Sequence, residues 1–345
     1  MAARELQAVH EGEIAVLYSR HKALVPSSKW MRTWCRWGCG LIATLIAVAS
    51  PAADRVLEAV SDDEAEITQL EQACDSGVIG SCAELGGRFA NGNGVTQNPA
   101  KAATFFDKAC EGGEADSCTL LGIAYHEGQG VVPAPERAAS AFARACDLGG
   151  AGACGNFGLA LVKGEGVAKD VERAFGYFTL ACKADNAANC SSLGAAYSMG
   201  IGVRANARKA RRLFKKSCDG GDAGGCYNLG VVYDQGLGVS KDPKRAAALY
   251  VGACDEDDGA ACGNLGTLVQ NGNGIARDVE RAAELFGKSC ELGDADGCLN
   301  LGLAYNAGVG VGRDRDRARS YLERAIAIEP DKADARRALN DMMPD

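Results

Sequence analysis

Residues 110–146 read CEGGEADSCTLLGIAYHEGQGVVPAPERAASAFARAC, a stretch that opens and closes on cysteine and carries a third cysteine eight residues from its start. The same spacing recurs on both sides of it. Fourteen of the 16 cysteines fall into seven pairs: Cys74/Cys82, Cys110/Cys118, Cys146/Cys154, Cys182/Cys190, Cys218/Cys226, Cys254/Cys262 and Cys290/Cys298. Members of a pair are eight residues apart, and each pair begins 36 residues after the one before it. Only Cys35 and Cys39 stand outside this register. A fixed period of this length is the mark of a tandem repeat, and this repeat carries its cysteines as part of the pattern.

Aligned on the first cysteine, the unit reads C-x7-C-x2-L-G-x2-Y-x2-G-x-G-V and ends R-A-x3-F-x2-A-C. Apolar residues three and four apart on either side of the Gly-x-G predict two amphipathic helices per unit. Helix A runs over a span such as 115–127, and helix B over one such as 135–148. Pro99, Pro135 and Pro243 sit in the first turn of helix B, where a missing N–H costs nothing. The Gly-x-G, at 92/94, 128/130, 164/166, 200/202, 236/238, 272/274 and 308/310, ends helix A. It is not a phosphate cradle, because no strand precedes it and no lysine follows in the position that motif requires. The glycine after leucine lies within helix A, where it costs about 1 kcal/mol against alanine. Its recurrence predicts a facing helix too close for a side chain. Short loops make the helices antiparallel neighbours. Stacked pairs then bury an apolar face that one pair cannot bury alone, which gives an all-α, α/α solenoid.

Two self-consistent disulfide schemes fit the register. One joins the pair eight apart; the other joins the second cysteine of a pair to the first of the next, 28 residues on. The first places both thiols at the corner between antiparallel helices, within the roughly 5.5 Å Cα separation a disulfide needs, and is the favoured one. Zinc uses shorter cysteine spacings gathered four at a time, so neither a metal nor a catalytic thiol is expected. No cofactor is expected either.

The 345 residues are 47% hydrophobic and 24% charged, with 37 Lys and Arg against 45 Asp and Glu, a net charge of −8. That balance argues against nucleic-acid binding and against disorder. Residues 38–49, GCGLIATLIAVA, follow Arg32 and Arg36 and lead into Ser50-Pro51-Ala52-Ala53, which is the layout of a secretory signal. Cleavage after Ala49 or Ala52 satisfies the small-residue rule, and the alternative is an uncleaved N-terminal anchor, the one route to a membrane. Met31 opens a signal of ordinary proportions and is the expected native start. Export would carry seven thiol pairs into an oxidising compartment, periplasmic or extracellular. The expected layout is an extension and signal over 1–52, a leading helix over 54–73, seven repeats over 74–326 and a C-terminal capping helix over 327–345.

The C-x7-C pair, the L-G-x2-Y-x2-G-x-G-V run and the R-A-x3-F-x2-A-C ending resemble the Sel1-like repeat and, more narrowly, the Helicobacter cysteine-rich protein family. The resemblance covers residues 74–326. It implies a right-handed superhelix related to tetratricopeptide repeats, with helix A on the concave side. It also implies secretion, penicillin binding with weak β-lactamase activity in some members, and adaptor or host-interaction roles in others.

The residues themselves give little support to catalysis. Serine β-lactamases present their nucleophile as S-x-x-K and carry K-T-G, and the repeats contain neither. His126 is the only histidine after the signal, and its equivalents are Ala90, Val162, Ser198, Asp234, Gln270 and Asn306. No base, nucleophile and oxyanion hole assemble from this set. A binding role has a firmer basis. Two residues past the second cysteine, on helix A, stand Asn156, Asn228, Asn264 and Asn300, the last three in consecutive units. Further along helix A, Gln235, Gln270, Asn271 and Asn306 widen the polar strip. An amide both donates and accepts, which suits an extended peptide backbone of any sequence. The competing reading is that these amides merely solvate the surface. The expected partner is a protein or peptide, bound by a monomer. The acidic run Asp255-Glu256-Asp257-Asp258 is expected to solubilise a loop.

Overall fold

A computed structural model of the chain describes residues 64–183 and 190–342. These residues form sixteen helices and no strand. The expected signal and cleavage sites, Met31 and the first part of the expected leading helix lie outside the described residues. Helix α1 spans 64–75. Thereafter A and B helices alternate: α2 (Ile79–Asn91), α3 (Pro99–Glu111), α4 (Ala115–Glu127), α5 (Pro135–Asp147), α6 (Ala151–Lys163), α7 (Val171–Lys183), α8 (Cys190–Met199) and α9 (Ala207–Asp219). The alternation continues through α10 (Ala223–Gln235), α11 (Pro243–Asp255), α12 (Gly259–Asn271), α13 (Val279–Glu291), α14 (Ala295–Ala307) and α15 (Arg315–Ile328), and α16 (Ala333–Asn340) closes it. No helix among the described residues is long and apolar enough to cross a membrane.

The chain forms two compact units: one of residues up to 153 with 165–168, the other of 154–164 with everything from Lys169 onward. Within the units, A helices such as α4, α10, α12 and α14 pack on the B helix that follows and on the one before. The A helices are apolar nearly all round and the B helices apolar on one face, as a two-sided and a one-sided packing require.

The glycine after leucine does meet a facing helix. In the first unit an added Cβ at Gly86 or Gly122 would stand 2.5 or 2.6 Å from the ring of Phe106 or Phe142. In the second, Gly158, Gly194, Gly230 and Gly266 face Phe178, Phe214, Tyr250 and Phe286 at 2.6–2.7 Å. These rings are the phenylalanine position of the R-A-x3-F run, and all are buried. The helix pair is therefore a glycine notch filled by an aromatic ring.

The Gly-x-G has two distinct jobs, where its sequence context predicts only helix termination. At the end of α8, Gly200 takes φ +76° and returns its N–H to the Ala196 carbonyl, closing the helix. Gly202, also at positive φ, lies against the Val171 carbonyl at the start of α7, one repeat earlier. The first glycine turns the chain and the second lets successive repeats touch.

A further tie recurs at the third residue of helix B, which is basic in every repeat. Lys101 lies over the Phe89 ring and Arg137 over Tyr125, at 4.8 and 4.2 Å. In the second unit Lys209, Arg245 and Arg317 lie over Tyr197, Tyr233 and Tyr305 at 4.8, 5.4 and 5.5 Å. Leu161 and Val269 occupy the ring position in the other two repeats.

All fourteen cysteines of the register are disulfide-bonded. The bridges join Cys74–Cys82 and Cys110–Cys118 in the first unit, and Cys182–Cys190, Cys218–Cys226, Cys254–Cys262 and Cys290–Cys298 in the second. Their Cα atoms are 4.4–4.8 Å apart. Each of these six bridges ties the end of one helix, α1 or a B helix, to the A helix that follows it, the nearest-partner scheme. Cys146 and Cys154 fall on either side of the division between the compact units. Cys146 belongs to the first unit and Cys154 opens the second. Both are buried and both are disulfide-bonded, Cys146 at the end of α5 and Cys154 in the first turn of α6. Such a set of bonds is the product of an oxidising environment. The acidic run does more than solubilise: Asp258 caps α12 through the Ala261 N–H at 2.8 Å, and Asp257 pairs with Lys288 at 3.0 Å.

Candidate binding surface

The four asparagines two residues past the second cysteine lie on α6, α10, α12 and α14, all within the second unit and all half-buried. Seven residues is two helical turns, so Gln235 shares a stripe with Asn228, and Asn271 with Asn264. Exposed Thr267 and Leu303 fill the intervening turn on α12 and α14. Gln235 and Asn271 are exposed, whereas Gln270 and Asn306 are half-buried beside the stripe. Successive A helices approach each other within this unit, α8 against α10 and α12 against α14, more closely than successive B helices do. Side chains on facing A helices can therefore meet across repeats.

Two of the asparagines are held by the framework. Asn228 donates from Nδ2 to the Ser191 hydroxyl of the preceding A helix at 3.0 Å. Asn264 directs Nδ2 at the Tyr250 hydroxyl at 3.4 Å. Tyr250 is fully buried and stands where five other repeats have phenylalanine. A buried phenol needs a partner, and the asparagine opposite is one. Asn156 and Asn300 show no side-chain hydrogen bond among the described residues. The amide hydrogens of Asn228 and Asn264 are thus oriented inward, leaving carbonyl oxygens as the groups best suited to an incoming donor. Ser191 and Tyr250 do not stand out as site residues in the sequence; the single tyrosine among phenylalanines is the available signal.

The remaining candidates do not converge on this surface. His126 Nε2 lies 3.9 Å from Glu165 in the first unit, and both are partly exposed. Among the described residues no three His, Cys, Asp or Glu side chains are placed to hold a metal ion. An open groove between α1 and α2 is lined by Glu66, Glu84, Arg88 and Asn91. Arg88 closes it by pairing with Glu66 at 2.6 Å and Glu84 at 2.7 Å. The Arg88 hydrogen bond holds the Glu66 carboxyl below its ordinary value.

A search of curated protein sequences finds no significant relative. Among solved structures, the chain is similar to c5321, a protective antigen of uropathogenic Escherichia coli strains. The identity is 30% and the TM-score 0.55, over 79% of this chain and 58% of that one. It thus spans less than two thirds of that antigen. It is similar to a Sel1 repeat protein of Oxalobacter formigenes at 24% identity and TM-score 0.59, over 82% of each chain. Cysteine-rich protein B of Helicobacter pylori is 29% identical, with a TM-score of 0.31, over 37% of this chain and 90% of that one. The Sel1 repeat profile matches seven consecutive segments, 80–114, 115–150, 153–186, 190–222, 223–258, 259–294 and 295–327. The chain belongs to the Sel1 repeat family.

Proposed function

We propose that the protein is an exported scaffold that binds a protein or an extended peptide along the helix-A stripe of its second unit. The observation that carries this reading is the recurrence of half-buried asparagines at a 36-residue period, on the A helices of three consecutive repeats. Their carbonyl oxygens would accept backbone N–H groups from a ligand strand, with contacts independent of ligand sequence. Export and kinship with the Helicobacter cysteine-rich proteins belong to the same proposal. They are supported by the signal-like run at 38–49 and by the C-x7-C pair in every repeat.

A peptide array probed with oxidised protein tests the reading. Asn228→Ala, Asn264→Ala and Asn300→Ala together weaken retained peptides at least tenfold. Asn300→Ala alone weakens them measurably with no change in melting temperature. Undiminished binding by the triple variant would overturn the assignment. So would nitrocefin hydrolysis that survives gel filtration and disappears on a single substitution, because it would reveal a reaction centre instead.

A further inference from the structure

Helix α9 breaks the charge pattern of its six equivalents. Its sequence ARKARRLFKKSCD holds six basic residues and one acidic residue, and Arg204 precedes it, in a chain whose net charge is −8. Two of those cations belong to the repeat. Lys209 is the basic residue over the Tyr197 ring, and Lys216 reaches back to the Cys182 carbonyl at 3.5 Å, as Lys288 reaches the Cys254 carbonyl. Arg212 and Lys215 are particular to this helix, whereas Lys244 and Arg319 stand at the positions of Arg208 and Arg211 in two other repeats. At the position of Arg212 the other repeats carry Thr104, Ser140, Gly176, Ala248, Glu284 and Ser320. At that of Lys215 they carry Asp107, Ala143, Thr179, Val251, Gly287 and Glu323.

Residues 208, 211, 212 and 215 are three, four and seven apart, so they form one contiguous stripe on the helix surface. Arg208, Arg212 and Lys215 are exposed and Arg211 half-buried, while Ala210 and Phe214 on the opposite side are buried. Lys215 pairs with Asp219 at 2.6 Å, the only acidic residue between 204 and 219. Arg204, Arg208, Arg211 and Arg212 have no ion pair among the described residues. Like charges at such spacing repel and destabilise the helix they sit on. Nothing in the packing of the repeat calls for the full set, since no other B helix carries more than one basic residue at these four positions.

We propose that this stripe is a docking site for a short acidic peptide segment of a partner protein, separate from the helix-A stripe and independent of it. Guanidinium forks bind carboxylates in paired hydrogen bonds, and arginine supplies most of the added charge. A helix of 13 residues is about 20 Å long, the reach of roughly six extended residues. The patch is local in an otherwise acidic chain. A short acidic segment matches the patch in length, whereas a duplex carries its charge well beyond it. The helix also offers no exposed apolar residue to enter a membrane.

The test is fluorescence anisotropy of a labelled hexaglutamate peptide titrated with the full oxidised chain at low and high salt. Binding is expected at 50 mM NaCl, to weaken at 300 mM, and to be absent for labelled hexaglutamine. R208Q/R211Q/R212Q keeps good helix formers at all three positions and is expected to lose about tenfold in affinity with unchanged circular dichroism. The triple asparagine variant of the helix-A stripe is expected to bind hexaglutamate normally. Equal affinity of R208Q/R211Q/R212Q for the peptide would overturn the proposal. So would preferential binding to phosphatidylglycerol vesicles or to duplex DNA.

Discussion

At the scale of single residues, polar groups in the repeats work as local locks. Asn264 satisfies the buried Tyr250 hydroxyl, so Asn264→Ala costs about 1 kcal/mol in urea denaturation. Asn300→Ala, with no such partner, costs a few tenths at most. Equal losses would mean that the Asn264 amide is not held by the phenol. Around Arg88, the hydrogen bond to Glu66 comes first and holds that carboxyl below its ordinary value. A depressed folded-state value stabilises above the ordinary carboxylate range, and this is lost as pH falls through it. Arg88→Gln is therefore expected to flatten the acid limb of the stability–pH curve, and an unchanged limb would contradict the assignment. These partnerships were not legible in the sequence. The asparagine period was plain, but its partners lie 14 and 37 residues away, on other helices.

At the scale of the helix pair, two glycines in the second unit should respond with opposite sign. Gly158→Ala drives a methyl into the Phe178 ring, which is buried and cannot yield. Overpacking of about 1–3 kcal/mol outweighs the gain of about 1 kcal/mol in helix propensity, so the variant is less stable. Gly176 on α7 has no neighbour within 4 Å, so Gly176→Ala should be stabilising by about 0.5–1 kcal/mol. Thermal unfolding distinguishes them, and a shift of the same sign in both would refute the notch. The basic residue of helix B offers a parallel comparison. Arg245→Ala removes a cation from the Tyr233 ring and should cost about 0.5–1 kcal/mol more than Arg281→Ala, in whose repeat Val269 stands at the ring position. The notch was readable because glycine within a helix has an intrinsic cost, so its repetition demanded a reason. The role of Gly202 was not, because its contact lies in the previous repeat and a loop glycine already has an explanation.

At the scale of the whole chain, stability has to come from contacts between neighbouring repeats, because a solenoid has few others. A bridge closing a loop of about nine residues limits the unfolded chain by about 2–3 kcal/mol in the chain-entropy model. Removing one, as in C254S/C262S, is expected to lower stability by up to that amount and to make unfolding less cooperative. The nearest-partner scheme was legible because the period left two consistent pairings and only one placed the thiols at a helix corner. The division of the chain at Cys154 was not, because the cysteine period runs through it unchanged. The measurement that tests the account most directly is disulfide mapping of the unreduced protein after combined cleavage at Asp, Glu and Arg, since an Asp or Glu lies inside every cysteine pair and at least one of the three residues lies between successive pairs. The account predicts seven linked peptide sets, each joining cysteines eight residues apart, and an intact mass about 14 Da below that of the reduced chain. Free thiols at the fourteen positions, or links spanning 28 residues, would contradict it.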